Sequence, residues 1–285
     1  MSVDHYENFP VASVLCPPHL RPAVTAIYHY ARTADDIADE GDAPAAERLA
    51  DLHAYRLELA AASRGEPPAA RWRHVFEPLA KVMQTQRLPS ALLADLLSAF
   101  EQDVVQHDYA DRPALLDYCR RSANPVGRLL LHLYGVTGAD ALARSDAICT
   151  ALQLANFWQD LRIDTLRGRT YPPRSDLARH GVLPADLLAQ RDSPAVRNLL
   201  RELVAWARSL MLHGAPLVHE LPGRAGWELR LVVQGGLAIL QKIEAGGFDT
   251  LTTRPRLHWH DAPALLWRAI RMRPELNALP ANTPR

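Results

Sequence analysis

Apolar residues recur every three or four positions along most of this chain, and no stretch alternates apolar with polar side chains between hairpin turns. A chain written in that period folds as helices that bury one stripe each, so an all-α architecture is predicted. Prolines mark the starts and stops: Pro17, Pro18 and Pro22 precede the first helix, Pro44 opens the second, and Pro67, Pro68, Pro89 and Pro113 divide the next segments. The spacing predicts long helices over about 20–40, 44–63, 89–108, 113–135, 141–165, 194–219 and 226–246. Asn124-Pro125 falls inside one of them, where the missing amide should kink or break it. Residues 166–193, rich in Arg, Pro, Gly and Asp, read as a long connection holding one short helix. With no linker or low-complexity tract, residues 1–285 read as one domain with a frayed tail from Pro274.

Composition narrows function by exclusion. Lys plus Arg and Asp plus Glu number 32 each, so no overall basic field attracts nucleic acid or an anionic membrane. Cys16, Cys119 and Cys149 lack CxxC spacing, which argues against a disulfide framework or zinc site and for a reducing cytoplasm. The opening MSVDHYENFP has no basic stretch leading into an apolar one and does not read as a signal peptide. No run nears the roughly 18 apolar residues of a membrane span. A glycine-rich phosphate loop and a GxGxxG turn are both missing.

Two groups of aspartates stand out against this background. In YHYARTADDIADE, about 100° per residue brings Tyr28, Arg32, Asp35, Asp36 and Asp39 within an arc of roughly 100°. Ala31, Ala34 and Ala38 keep the neighbouring positions small. In QLANFWQDLRID, Gln153, Asn156, Asp160 and Asp164 follow at i, i+3, i+7 and i+11, again along one face. Leu152, Ala155 and Leu161 fall on other sides, so this polar stripe is expected to look inward or into a cavity. Carboxylates one turn apart repel unless a cation sits between them. Mg²⁺ takes one or two carboxylates together with water and phosphate oxygens. Two facing pairs would therefore hold a diphosphate through bridging metals and neutralise it as it leaves. Arg32, Arg162, Arg167 and Arg169 add guanidinium donors for the same anion. By spacing alone, each pair also reads as the solvated face of an acidic helix, and Gln153 and Asn156 as structural amides.

Four stretches, AIYHYARTADDIADE, YCRRSANPVGRLLL, ALQLANFWQDLRIDTLRGRTYPP and GLAILQKIEAGGFDTLTTRP, resemble the squalene/phytoene synthase family over nearly the whole chain. The resemblance implies an isoprenoid-synthase-like helical bundle around a central cavity, Mg²⁺ as cofactor and a prenyl diphosphate as substrate. It implies Asp35, Asp39, Asp160 and Asp164 as metal ligands, with Asp36 beside them. Arg32 and Arg254 match diphosphate-contacting positions, and Arg169 joins them as a donor. Tyr28, Tyr118, Gln153 and Asn156 match polar, catalytic cavity positions, and Ala123 and Gly127 leave room for a prenyl chain. Leu237 stands where some squalene synthases carry a cavity tyrosine, and Glu7 where some relatives carry a basic residue.

NFPVAS, SANPVGRL and NFWQD look like the branch of the family that forms hydroxysqualene for hopanoids. That likeness implies ionisation of presqualene diphosphate, rearrangement of a cyclopropylcarbinyl cation and capture by water. Phe157, Trp158 or Tyr118 would face the cation, and Tyr28, Tyr118 or Gln153 would position the water. Helix packing is the other reading of Trp158. A condensing enzyme joining two farnesyl or geranylgeranyl diphosphates is the nearest rival. His107-Asp108 suggests a helical metal phosphohydrolase, and an inactive scaffold relative is a third reading. His258-Trp259-His260-Asp261 reads as a loop entering the final helix with Asp261 as its N-cap. No nucleic-acid partner is expected, while a greasy substrate leaves peripheral contact with the inner membrane face open.

Overall fold

The computed structural model describes residues 16–273, and these form helices joined by short connections with no strand among them. The first four helices are α1 (Arg21–Asp39), α2 (Ala45–Ser63), α3 (Arg73–Gln86) and α4 (Ser90–Asp103). They close around one core in which Tyr30, Tyr55, Phe76 and Leu93 are buried. Two phenols lock it, since Tyr30 Oη donates to Leu93 O at 3.0 Å and Tyr55 Oη to Tyr30 O at 3.1 Å. Each such buried bond adds about 1 kcal/mol and leaves no phenol unsatisfied.

Helix α3 departs from the sequence expectation, in which prolines act as breaks: Pro78 lies within it. Burial explains its survival, because Val75, Phe76, Leu79, Val82 and Met83 bury on one side against α1 and α2.

The second half comprises α5 (Arg112–Ser122), α6 (Asn124–Leu133), α7 (Ala139–Gln159), α8 (Leu161–Leu166), α9 (Arg174–Arg179), α10 (Pro184–Leu188), α11 (Pro194–Gly214), α12 (Gly223–Ala245) and α13 (Ala262–Arg271). Asp111 and Ser193 cap α5 and α11 by accepting from Ala114 N at 2.9 Å and Val196 N at 3.2 Å. The expected break at Asn124-Pro125 separates α5 from α6. The predicted helix over 141–165 breaks as well, at Asp160, whose backbone (φ −100°, ψ 12°) leaves the helical region. The connection 166–193 holds two short helices rather than one.

Helix α7 lies along α11, and α12 packs on both. Gly236 permits this approach: a Cβ there would stand 2.6 Å from Met211 Cε and 2.9 Å from Leu152 Cδ2. The segment after α12 then folds over the end of α7, where Gln159 Nε2 donates to Pro255 O at 2.6 Å. Asp261 does not cap α13 with its side chain as expected. Its carboxylate instead accepts from His258 N at 2.7 Å and pairs with Lys242 at 3.1 Å. The tail from Pro274, together with Glu7 and NFPVAS, lies outside the described residues.

Candidate active site

A cavity of about 440 Å³ opens between α1, α6, α7 and α12, and its wall is almost wholly apolar. From α1 come Val24, Ile27, Tyr28 and Ala31, and from α7 come Ser145, Ile148, Cys149 and Leu152. Both strips fall at i, i+3, i+4 and i+7, the spacing that keeps side chains on one face of a helix. The next turns carry Asp35 and Asp39 on α1, and Asn156 on α7 with Asp160 just past its end. Leu152 therefore lines the cavity, although its spacing in the sequence sets it off the polar stripe. The cavity faces of α1 and α7 change from greasy to acidic as they run toward their C-terminal ends.

Arginines meet the aspartates there. Arg169 Nη1 donates to Asp39 Oδ2 at 3.0 Å while its Nη2 bonds Asp39 Oδ1, and Arg167 approaches Asp39 Oδ2 at 3.5 Å. Arg254 takes Asp160 in the same two-pronged way, Nη2 to Oδ2 at 2.7 Å and Nε to Oδ1. Arg32 stays on its own helix, pairing with Asp35 at 3.1 Å, with Glu40 at 2.6 Å and with Asp36. Arg162 is exposed and donates to Thr252 O at 3.3 Å, away from the aspartates.

The carboxyls feel one another. Burial pushes Asp35 up to about 6 against the pull of Arg32, with Asp39 and Asp36 adding to the rise. Burial, then Asp160, pushes Asp164 up to about 7, and Asp39 contributes across the gap. Burial also acts upward on Asp39, but the hydrogen bonds and charge of Arg169 outweigh it and hold that carboxyl below the usual range. A member the sequence did not single out as a site residue is Asp103, at the end of α4. Burial carries it to about 7, Asp39 and Asp35 push the same way, and Tyr118 Oη donates to its Oδ2 at 3.0 Å. Its signal was present as a carboxylate four residues beyond Ala99 and three beyond Phe100, on the apolar side of an amphipathic helix.

Other expected cavity residues lie elsewhere. Phe157 stacks on Tyr171 with ring centroids 3.7 Å apart, inside the core shared by α5, α7 and α11. Trp158 is fully buried, and Tyr118 is buried in the same core with its hydroxyl committed to Asp103. These three do not line the cavity, and neither do Ala123, Leu237, Gln153 or Asn156. Ala123 joins α5 to α6, Leu237 packs against the core of α7 and α12, and Gln153 and Asn156 are half-buried. Gly127 and Tyr28 do line it.

Among the described residues, no three His, Cys, Asp or Glu side chains are gathered as a ready-made metal cage. The donor set nonetheless suits a hard divalent ion: it is all oxygen, partly buried, and carries carboxyls lifted by burial and then by their neighbours' charge. His107 is exposed and Asp108 pairs with Arg174 at 2.6 Å, so this dipeptide joins no such group.

A family model described as squalene/phytoene synthase matches residues 3–262. The hydroxysqualene synthase of Rhodopseudomonas palustris is 36% identical over 229 residues, covering 79% of this chain and 75% of that protein. The hydroxysqualene synthase of Zymomonas mobilis is 36% identical over 266 residues, covering 91% and 84%. Among solved structures, squalene synthase HpnC from Alicyclobacillus acidocaldarius superposes with a TM-score of 0.79 at 38% identity, covering 86% of this chain and 90% of that one.

Proposed function

Because the chain belongs to the squalene/phytoene synthase family, we propose that it converts presqualene diphosphate to hydroxysqualene. The observation that carries this reading is the cavity whose apolar strips on α1 and α7 run on into paired aspartates and arginines. A prenyl diphosphate has the same division, a long hydrocarbon and a compact anion. The two bacterial relatives named hydroxysqualene synthase support this reaction over the condensing one.

Asp35, Asp39, Asp160 and Asp164 would hold Mg²⁺, with Asp36 supporting Arg32. The metal, once bound, would supply charge neutralisation for the departing diphosphate. Arg169 and Arg254, engaged with Asp39 and Asp160, would also donate to that anion. The C–O bond to diphosphate breaks and leaves a cyclopropylcarbinyl cation in the apolar cavity. Ring opening gives an allylic cation, a water oxygen bonds to it, and the extra proton passes to water or to the released diphosphate. Tyr28 is the expected water-positioning group, since of the three candidates it alone lines the cavity.

The test is incubation with presqualene diphosphate and Mg²⁺ without nicotinamide. Hydroxysqualene is the expected product, and unchanged substrate would sink the assignment. Consumption of farnesyl diphosphate alone would move it to the condensing reaction.

A further inference from the structure

Helix α13 has two apolar faces. The inner one carries the fully buried Ala269, and Arg230 Nη1 ties the helix to α12 by donating to Ala269 O at 3.2 Å and Met272 O at 3.1 Å. The outer one carries Leu266, Trp267 and Ile270 within an arc of roughly 100°, exposed by 51%, 57% and 51%. Trp259, in the turn leading into α13, is 88% exposed. Single exposed apolar residues are ordinary, but three on one face of a short helix form a patch.

The charge around this patch is one-sided. Residues 262–273 contain Arg268, Arg271 and Arg273 and no acidic residue, and Asp261 just before them is already paired with Lys242 at 3.1 Å. Arg268, Arg271 and Arg273 are exposed, and the Arg271 guanidinium lies 4.7 Å over the Trp267 ring. The overall balance of 32 acidic and 32 basic residues conceals this local excess. Among the described residues no helix is long and apolar enough to cross a membrane.

We propose that the outer face of α13, with Trp259, docks on an anionic lipid bilayer. Indole rings favour the level of the headgroups, a short apolar face enters no deeper than the acyl boundary, and arginines engage lipid phosphates. Choosing lipid over a protein groove rests in part on the proposed reaction, whose substrate and product partition into membranes.

The experiment is co-sedimentation of the full chain with vesicles of phosphatidylcholine alone or mixed with phosphatidylglycerol. Bound protein should rise with phosphatidylglycerol and fall with salt, and tryptophan emission should shift to the blue. L266Q/W267Q/I270Q should weaken the partition by about tenfold or more, and R268Q/R271Q/R273Q should remove its dependence on anionic lipid. W267Q alone, at an exposed position, should show a smaller loss and serves if a triple variant misfolds. Turnover of presqualene diphosphate in detergent should be unchanged in all three, which separates failure of docking from failure of the reaction. Absence of vesicle binding by the wild-type chain, or binding by the apolar triple variant equal to wild type, would overturn the proposal.

Discussion

Arg169 clamps Asp39 across 130 residues of chain, one guanidinium nitrogen on each carboxylate oxygen. The pair ties the last residue of α1 to the connection after α8 and so draws the two acidic segments together. It also sets the charge of the mouth. Asp39 stays ionised through Arg169, and its charge then helps lift Asp35, Asp103 and Asp164.

Arg169→Ala should therefore cost more than one surface ion pair. We expect turnover of presqualene diphosphate to fall by about 10²-fold, the scale of removing one aimed donor from developing negative charge. Arg169→Lys should recover only part, because an ammonium cannot hold both oxygens in a fixed fork. Steady-state rates at saturating Mg²⁺ test this, and a near-wild-type rate for Arg169→Ala would remove Arg169 from the site.

Metal binding should depend on pH through Asp35 and Asp164. Burial raises them from 3.8 to about 6 and about 7, so the folded chain takes up protons more readily than the unfolded one. Their contribution to stability is full below about 3.8 and is lost as pH rises through about 6 and about 7. Metal-free protein should accordingly melt at a lower temperature at pH 8 than at pH 5.5. Mg²⁺ needs the carboxylates ionised, so it should raise the melting temperature more at pH 8. Thermal melts with Mg²⁺ or a chelator at both pH values check the sign, and a larger Mg²⁺ effect at pH 5.5 would contradict it.

Gly127 lets α6 approach α7 at the cavity wall. A Cβ there would stand 2.6 Å from Cys149 Sγ and nearer still to Ser145 Oγ. Gly127→Ala should destabilise by about 1–3 kcal/mol, the usual cost of overpacking. Adding Ser145→Ala and Cys149→Ala should return part of that loss, a coupling that denaturant unfolding can measure.

Trp158 offers a separation of packing from catalysis. It is fully buried and meets Phe157 edge-on, with ring centroids 6.3 Å apart. Trp158→Ala should lose about 3–5 kcal/mol of stability, whereas Trp158→Phe should fold and retain most of its turnover. A folded Trp158→Phe protein with turnover reduced a hundredfold or more would return Trp158 to the cation.

The helical fold and its break at Asn124-Pro125 were legible because each is a local consequence of side-chain spacing. So was the lengthwise alignment of Tyr28, Ala31 and Asp35. Helix α3 was not, since the penalty for Pro78 is local while the burial of Phe76 and Leu79 that offsets it is tertiary. The sequence reading sets Phe157 toward the cavity because an aromatic face would stabilise the cation there. Its place is decided by Tyr171, fourteen positions on and beyond two changes of direction. Asp103 carried a readable signal, a charge on an apolar face, but its meaning depends on Tyr118 and Asp39 arriving from elsewhere.

That this chain is helical, and that Asp35 and Asp39 share a helix face with Tyr28, follow from residue order, because each is a consequence of the 3.6-residue period, whereas the break at Asp160 puts the second aspartate pair on two separate segments. Which arginine answers which aspartate, which aromatic rings leave the cavity for the core, and which face of α13 remains bare were settled by packing in three dimensions. Pairings such as Asp39 with Arg169 and Asp160 with Arg254 join segments far apart in the chain, and no local rule selects among the 32 basic residues that could have filled those places.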